Sequence, residues 1–216
     1  MNAGVKIMDI GSRKVFCIGL SRTGTTSLHL AMIMLGLTSA HYPSQVAMKW
    51  LEGDFSPETT ASYQSFSDVP SAIFFKQLHR THPDALFIYT YRDLDPWLKS
   101  VEKWFNSRPK SSQYTVLRDY IRAATYGTIM YSRARFADRY LEHDQIVREY
   151  FADKQEIFLP LRTEDMSWGT IAKFLGRDVP KAKFPHLNTP LIGQLAQVDK
   201  SRLLAAQSKL TEMFGE

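Results

Sequence analysis

The sequence predicts an α/β fold built around a mainly parallel sheet. Strand-like and helix-like runs alternate along the chain, which favours parallel strands joined by helices. An apolar strand also leads through the glycine-flanked loop GLSRTGTT directly into a helix. No repeat, low-complexity tract or linker divides the 216 residues. We therefore expect a single domain over 1–216, with a core over about 14–190 and a C-terminal helix over about 197–213.

Four runs predict the strands of the sheet, and the third, ALFIYTYR, is the clearest: Lys14–Leu20, Tyr63–Val69, Ala85–Arg92 and Glu156–Arg162. After the first strand, apolar residues recur at helical spacing at Leu28, Ala31, Met32 and Leu35, and Gly36 marks the C-terminal stop. This spacing predicts an amphipathic helix.

The remaining helices follow from caps and breaks in the pattern. In DPWLKSVEKWF, Asp95 is the predicted N-cap and Pro96 lies in the first turn, with Trp97, Val101 and Trp104 along one face. The run Ser111–Tyr150 predicts two helices broken near Gly127. A proline-rich, irregular connection then leads into a final helix over Gln197–Met213.

Composition narrows the function classes. The net charge of +5 suits anionic small molecules or acidic surfaces and does not indicate a nucleic-acid groove. No window of about 18 apolar residues predicts a membrane span. The single cysteine, Cys17, has no partner for an intrachain disulfide, so a reducing, cytoplasmic location is expected.

The loop between the first strand and the first helix predicts an anion site. Such a turn points backbone N–H groups and the positive end of the helix dipole at one spot, which suits phosphate or sulfate. The spacing of Gly19 and Gly24 matches a nucleotide triphosphatase loop, but Thr25 replaces its lysine and Thr26 follows. Arg22 supplies the positive charge instead. The alternative interpretation is a plain strand-to-helix turn with a helix cap.

The run SRTGTTSL resembles the phosphosulfate-binding loop of sulfotransferases that use 3'-phosphoadenosine 5'-phosphosulfate (PAPS). The resemblance implies that the donor is bound by Arg22, Thr23, Gly24, Thr25, Thr26 and Ser27. It recurs in YRDLDPWLKSV, where Arg92 and Ser100 take the places of residues that hold the donor's 3'-phosphate in that family. LRTEDMSWGTIAKFLG and FPHLN are similar to later family segments, so the resemblance spans Lys14–Asn188.

The sequence also departs from the family pattern. Ser27 replaces the aromatic residue that often stacks on adenine, and Thr163 replaces a tyrosine. The C-terminal basic loop that makes further contacts to the 3'-phosphate is not recognisable, and the candidates to replace it are Lys181, Lys183 and His186.

Sulfuryl transfer explains the missing lysine. Charge in its in-line transition state spreads onto peripheral and leaving oxygens, which preorganised donors stabilise. The sulfuryl group carries less negative charge than a terminal phosphate, so neither the lysine nor a magnesium ion is required. The resemblance implies PAPS as co-substrate, adenosine 3',5'-bisphosphate (PAP) as product, and no metal.

Asp68 is the predicted general base for a hydroxyl acceptor. It ends the second predicted strand just before a proline-started helix, near the carboxyl edge of the sheet, and resembles in position the catalytic histidine of the family. The alternative is that Asp68 only caps this helix, in which case Glu164 or His41 is the next candidate. Arg92 has an alternative as well, a strand-end ion pair with Asp93 or Asp95.

These observations predict a three-layer sandwich, with a phosphosulfate-binding loop resembling a P-loop, that transfers a sulfuryl group to an acceptor hydroxyl or amine. Arg22 and Asp68 are its predicted catalytic residues. The acceptor is expected to be a small molecule or a glycan, held by segments around 41–63 and 107–131. Two alternatives stay open: a small-molecule kinase, and a nucleotide-binding protein without catalysis. The sequence leaves the oligomeric state open.

Overall fold

The computed structural model describes residues 10–107 and 115–186. Five strands form one sheet: β1 Val15–Cys17, β2 Ser39–His41, β3 Ser65–Ser67, β4 Leu86–Tyr91 and β5 Phe158–Arg162. Seven helices accompany them in the described ranges: α1 Thr25–Met34, α2 Ser44–Leu51, α3 Ser71–Thr81, α4 Leu94–Asn106, α5 Thr115–Tyr126, α6 Arg133–Tyr150 and α7 Trp168–Leu175. The predicted final helix, Gln197–Met213, lies outside the described residues.

All neighbouring strands are parallel, in the order β2-β3-β1-β4-β5. This confirms the predicted α/β fold with a parallel sheet. β1 lies at the centre, where Phe16 is in register with Phe66 of β3 and Phe87 of β4. The segments that leave β1, β3 and β4 therefore start side by side at the carboxyl edge of the sheet.

Helices cover both faces of the sheet, which gives the three predicted layers. Val15 and Cys17 of β1 belong to one apolar cluster with α1 and α7. Phe16, between them, points to the opposite face and packs with α2, α3 and α6. Strands buried on both faces are typical of parallel sheets, because the crossover helices lie on both sides.

The first helix is buried nearly all round, so its predicted amphipathic character is wrong. Eight of its ten residues are buried. On one side α1 packs against the sheet and α7. On another side the buried His29 side chain, in the middle of the helix, bonds Ser39 of β2. Gly36 has a φ of 84°, the left-handed conformation expected just after a helix.

Two other boundaries differ from expectation. α4 begins at Leu94 with Asp93 as its N-cap, so Asp95 is a first-turn residue and not the cap. β2 was not predicted, because its three residues, Ser-Ala-His, lack the branched and aromatic side chains that indicate a strand. The predicted break between α5 and α6 is confirmed at Gly127, which has a φ of 67°.

Over the residues that the structure describes, no helix combines the length and the apolar character needed to cross a membrane.

Candidate active site

The carboxyl ends of the five strands collect most of the predicted site residues at one edge of the sheet. The loop after β1 carries Arg22, and Asp68 follows β3 directly. Arg92 follows β4, and Glu164 lies two residues after β5. The ends of parallel strands are the usual place for ligands in α/β sheets.

Close packing fixes the path of the loop after β1. A methyl group at Gly19 would lie 2.1 Å from Thr90 Oγ1 and 2.5 Å from the Thr90 carbonyl oxygen. The Thr23 hydroxyl donates to the Leu20 carbonyl oxygen at 2.7 Å and lies 2.8 Å from Thr90 Oγ1. The Thr23 amide also donates to the Leu20 carbonyl oxygen. Thr23 thus holds the loop closed against β4.

Thr163, which directly follows β5, holds the second half of the loop in place. The Thr163 hydroxyl lies 2.8 Å from the Thr23 carbonyl oxygen and 3.0 Å from that of Tyr91. Gly24 has a φ of 85°, and a methyl group there would lie 2.4 Å from Met166 Cε. Glycine is required at this position, since the backbone is left-handed and touches the segment before α7.

α1 starts immediately after this loop and presents its N-terminus to the site. The first amides of a helix, here those of Thr25 and Thr26, have no carbonyl one turn earlier inside the helix to bond. The first turn contains no acidic residue that would neutralise the positive end of the dipole. The Thr25 and Ser27 side chains are buried, and Thr26 is half-buried.

The Asp68 carboxylate bonds directly to this loop. Its Oδ1 accepts hydrogen bonds from Ser21 Oγ at 2.5 Å and from the Val69 amide at 2.7 Å. Its Oδ2 accepts one from Thr25 Oγ1 at 3.2 Å. The carboxylate is mostly buried, yet it has three donors, which is how a protein keeps a buried charge stable.

The side chain of Asp68 does not cap the following helix. α3 begins at Ser71, its N-cap is Pro70, and no side chain makes the capping hydrogen bond. The main-chain carbonyl oxygen of Asp68 accepts a hydrogen bond from the Ser71 amide of α3 at 3.1 Å. Asp68 has a φ of 72°, a strained conformation for a residue with a side chain. The carboxylate therefore belongs to the loop and not to the helix.

His41, at the end of β2, stands next to Asp68 and was not among the predicted site residues. Its Nε2 lies 3.5 Å from Asp68 Oδ2 and 3.4 Å from Thr26 Oγ1. Its Nδ1 lies 3.0 Å from Ser67 Oγ. Burial lowers the pKa of His41, and the charge of Asp68 opposes that shift. The sequence named His41 only as a substitute for Asp68, because a lone histidine in an unpredicted strand does not indicate that the two side chains are neighbours.

Arg22 contacts Ser100, which was predicted together with Arg92 to hold the 3'-phosphate of the donor. Its Nε donates to Ser100 Oγ of α4 at 3.2 Å. α4 is fastened to the loop one turn earlier, where Trp97 Nε1 donates to the Ser21 carbonyl oxygen at 2.9 Å. Desolvation lowers the pKa of Arg22, Asp68 raises it and Arg92 lowers it.

Arg92 is positioned by two neighbours. Its Nε lies 3.3 Å from Glu164 Oε1, and the Tyr140 hydroxyl from α6 bonds both its amide and its carbonyl oxygen. The ion pair suggested with Asp93 or Asp95 is wrong, because those carboxylates bond Arg162 and Arg133. The guanidinium remains partly exposed at the edge of the sheet.

Two further expectations concern other parts of the chain. Lys181, Lys183 and His186, the candidates to replace the missing basic loop, are all exposed on the segment after α7. Among the described residues, no three side chains of histidine, cysteine, aspartate or glutamate are grouped so as to hold a metal ion.

Comparison with known proteins agrees with this geometry. Residues 14–191 match the model of a protein family described as a sulfotransferase domain, which covers most of the chain. The chain is also 25% identical to the Ava biosynthesis cluster protein M of Aspergillus versicolor over 210 residues, which span 82% of this chain and 81% of that protein.

Proposed function

Since the chain belongs to the sulfotransferase domain family, we propose that it transfers a sulfuryl group from PAPS to a hydroxyl or amine, leaving PAP. The observation that carries this proposal is the Asp68 carboxylate, which bonds Ser21 and Thr25 at the N-terminus of α1. An anion-binding loop and a proton-accepting group thereby lie side by side, as transfer to a hydroxyl requires.

The donor set around the loop fits the two anionic groups of PAPS. The first amides of α1, with Arg22 and the Thr26 hydroxyl, would hold the phosphosulfate. Arg92 and Ser100, on β4 and α4, would hold the 3'-phosphate, since a guanidinium forms strong charge-assisted bonds with phosphate. In this proposal Thr23, Gly24 and Ser27 shape the loop and supply backbone groups.

The acceptor's proton needs a destination when its oxygen bonds to sulfur and the bond from sulfur to the donor's phosphate oxygen breaks. Ser67 Oγ donates to the Ala40 carbonyl oxygen, which leaves it free to accept Nδ1–H from His41. His41 Nε2 then carries a lone pair facing Thr26 and Asp68. We therefore assign the released proton to the Asp68–His41 pair, with Asp68 as the predicted base.

The acceptor in this proposal is a small molecule. The Aspergillus versicolor relative is named for a biosynthesis cluster, which supports a role in making or modifying a small molecule. A glycan hydroxyl is chemically equivalent at the reacting atom, so an acceptor screen has to include both phenols and sugars.

The first experiment compares ligands by thermal shift. PAP should stabilise the protein by RT ln(1 + [L]/Kd), about 2.7 kcal/mol at a hundredfold excess over Kd, and ATP with magnesium should stabilise it less. A larger shift with ATP and magnesium would favour the small-molecule kinase instead. PAP binding without transfer of labelled sulfate to any screened acceptor would favour a nucleotide-binding protein without catalysis.

The second experiment separates donor recognition from general anion binding. Arg92→Ala should weaken PAP binding strongly and leave adenosine 5'-phosphosulfate nearly unchanged, because the contact that it removes exists only with a 3'-phosphate. Arg133→Ala is the matched control, since Arg133 forms an exposed ion pair with Asp95. Equal weakening of both ligands by Arg92→Ala would remove Arg92 from the 3'-phosphate site.

A further inference from the structure

Arg122, on α5, is a mostly buried cation with unused hydrogen-bonding capacity. Its side chain is 12% exposed, and its Nη1 bonds Asp119 at 3.2 Å. Its Nε and Nη2 are buried, and neither has a hydrogen-bond partner in the described part of the structure. These two nitrogens form one edge of the guanidinium and present parallel N–H groups, the geometry that grips a carboxylate with two bonds.

Two aromatic rings lie close to this guanidinium. Its central carbon lies 4.7 Å from the ring centre of Phe105 and 5.4 Å from that of Trp104, both at the end of α4. Cation–π contacts of this kind are favourable for arginine and restrict the movement of its side chain. The unused edge is therefore preorganised and does not have to be ordered when a ligand binds.

The charges around Arg122 favour an added anion. Burial lowers the pKa of Arg122, and the positive charge of Arg118, one turn earlier on α5, lowers it further. Asp119 and Tyr42 act in the opposite direction. The Arg122 guanidinium thus lies near a second guanidinium and bonds one carboxylate, Asp119, and a further carboxylate would relieve the repulsion between the two cations.

The position of Arg122 connects it to the proposed transfer site. Phe105, which contacts the Arg122 guanidinium, belongs to one apolar cluster with Tyr42, Val69 and Tyr126. Tyr42 and Val69 directly follow His41 and Asp68 in the chain. Tyr126, one turn after Arg122, is buried, and its pKa is raised by burial and by the charge of Asp68, while Arg122 lowers it. This cluster therefore joins the cation on α5 to the residues that follow the proton-accepting pair.

We propose that the Nε–Nη2 edge of Arg122 binds a carboxylate on the acceptor, so that the acceptor is an acidic hydroxy compound. The inference rests on the proposed function, because it assigns the acceptor class of that same site. The carboxylate is then bound at α5 and the reacting hydroxyl lies at Asp68. Arg122 then selects among acceptors without taking part in the proton transfer.

The test uses three phenolic acids of increasing length, 4-hydroxybenzoate, 4-hydroxyphenylacetate and 3-(4-hydroxyphenyl)propanoate, each paired with its methyl ester. Calorimetry at saturating PAP measures the affinity of each compound. We expect at least one acid to bind about 10- to 100-fold more tightly than its ester, the effect of hydrogen bonds to a charged group. If no acid binds more tightly than its ester, the inference is overturned. The matching phosphonates distinguish a carboxylate site from a general anion site: equal or tighter phosphonate binding overturns the carboxylate assignment.

Variants assign the effect to Arg122. Arg122→Gln should abolish the preference for acid over ester and leave ester binding and PAP affinity unchanged. Arg122→Lys, which keeps the charge and loses the fork, should retain part of the preference and serves if the glutamine variant does not fold. Arg80→Gln, at an exposed arginine of α3, is the control and should keep the full preference. A preserved preference in Arg122→Gln contradicts the inference, whereas failure of the wild-type protein to bind PAP contradicts the proposed function.

Discussion

At the residue scale, Asp68 combines a strained backbone with a carboxylate that accepts three hydrogen bonds. Its φ of 72° and that of Arg22, 73°, lie in the left-handed region, which costs a residue with a side chain about 1–2 kcal/mol. Strain of this kind persists where the surroundings impose it. At Asp68 the surroundings are Ser21, Thr25 and the Val69 amide, which together aim the carboxylate at the loop.

The sequence placed Asp68, Arg22 and Thr25 in one site because each ends a strand or opens a helix. It named His41 only as an alternative to Asp68 and did not place the two together, since nothing in the run TSAHY indicates a strand end. It also left open whether Asp68 is a cap, because an aspartate before Val-Pro fits both interpretations. Only the hydrogen bonds decide, and they lead to the loop.

The first prediction tests Asp68 and His41 as one proton-accepting unit. Asp68→Asn and His41→Gln should each lower sulfuryl transfer by about 10²–10⁴-fold, because each removes part of the group that takes the proton. PAP affinity should change little in either variant. The double variant should transfer sulfuryl groups about as fast as the less active of the two single variants, because the effects of residues that act as a unit are strongly non-additive.

Steady-state transfer from PAPS to a screened acceptor provides the measurement. Thr60→Val is a suitable control, because Thr60 is a buried threonine whose hydroxyl bonds His82, away from the loop. Undiminished transfer by Asp68→Asn would exclude Asp68 as the base. Losses that simply multiply in the double variant would mean that the two residues act independently.

At the scale of elements, four strands and the first helix were predicted at the right places but with the wrong lengths or burial. Four of the five strands were predicted, each two to four residues too long, because the predicted runs include flanking residues such as Ile18 to Leu20 after β1 and Glu156 and Ile157 before β5. α1 was predicted as amphipathic from four apolar positions, whereas its other face is buried as well. On that other face the buried His29 side chain bonds Ser39 of β2, a strand too short to recognise from the sequence.

The path of the loop after β1 depends on how closely β1 approaches β4 at Gly19, and Gly19→Ala tests this contact. A methyl group would lie 2.5 Å from the Thr90 carbonyl oxygen, so β1 and β4 must separate. We expect a loss of about 1–3 kcal/mol in the free energy of unfolding, as for other overpacked sites, together with weaker PAP binding because the loop moves.

Gly169→Ala is the matched control, because Gly169 lies in α7 with nothing within 4 Å of the added methyl group. It should stabilise the protein by about 0.5–1 kcal/mol, the helix propensity gained over glycine, and leave PAP binding unchanged. Chemical denaturation and PAP titration of both variants provide the comparison. A Gly19→Ala protein with normal stability and PAP affinity would show that the loop does not depend on this contact.

At the scale of the whole molecule, buried histidines link the core to the site. His143, on α6, contacts the Ile18 carbonyl oxygen at 3.0 Å, just where β1 runs into the loop. His29, on α1, contacts Ser39 of β2 and stacks near His41. Burial lowers the pKa of all three histidines, that of His143 to about 4. The folded protein therefore keeps them neutral at pH values where an unfolded chain would protonate them.

This arrangement predicts that stability falls as the pH drops. An unfolded histidine titrates near 6.5, so above that pH both states are neutral and the full stability is present. Between about 6.5 and 4 the unfolded state binds more protons than the folded state, and the free energy of unfolding decreases with each step down in pH. For His143 alone, with its pKa at about 4, the loss over this window is about 3 kcal/mol.

His143→Gln keeps a donor for the Ile18 carbonyl oxygen and removes the titrating group, so its unfolding free energy should decline less steeply from pH 7.5 to 4.5 than that of the wild-type protein. His186→Gln, at an exposed histidine, should follow the wild-type curve. Urea denaturation at each pH measures the slopes, and a His143→Gln slope equal to the wild-type slope would show that this buried histidine does not control the acid stability of the fold.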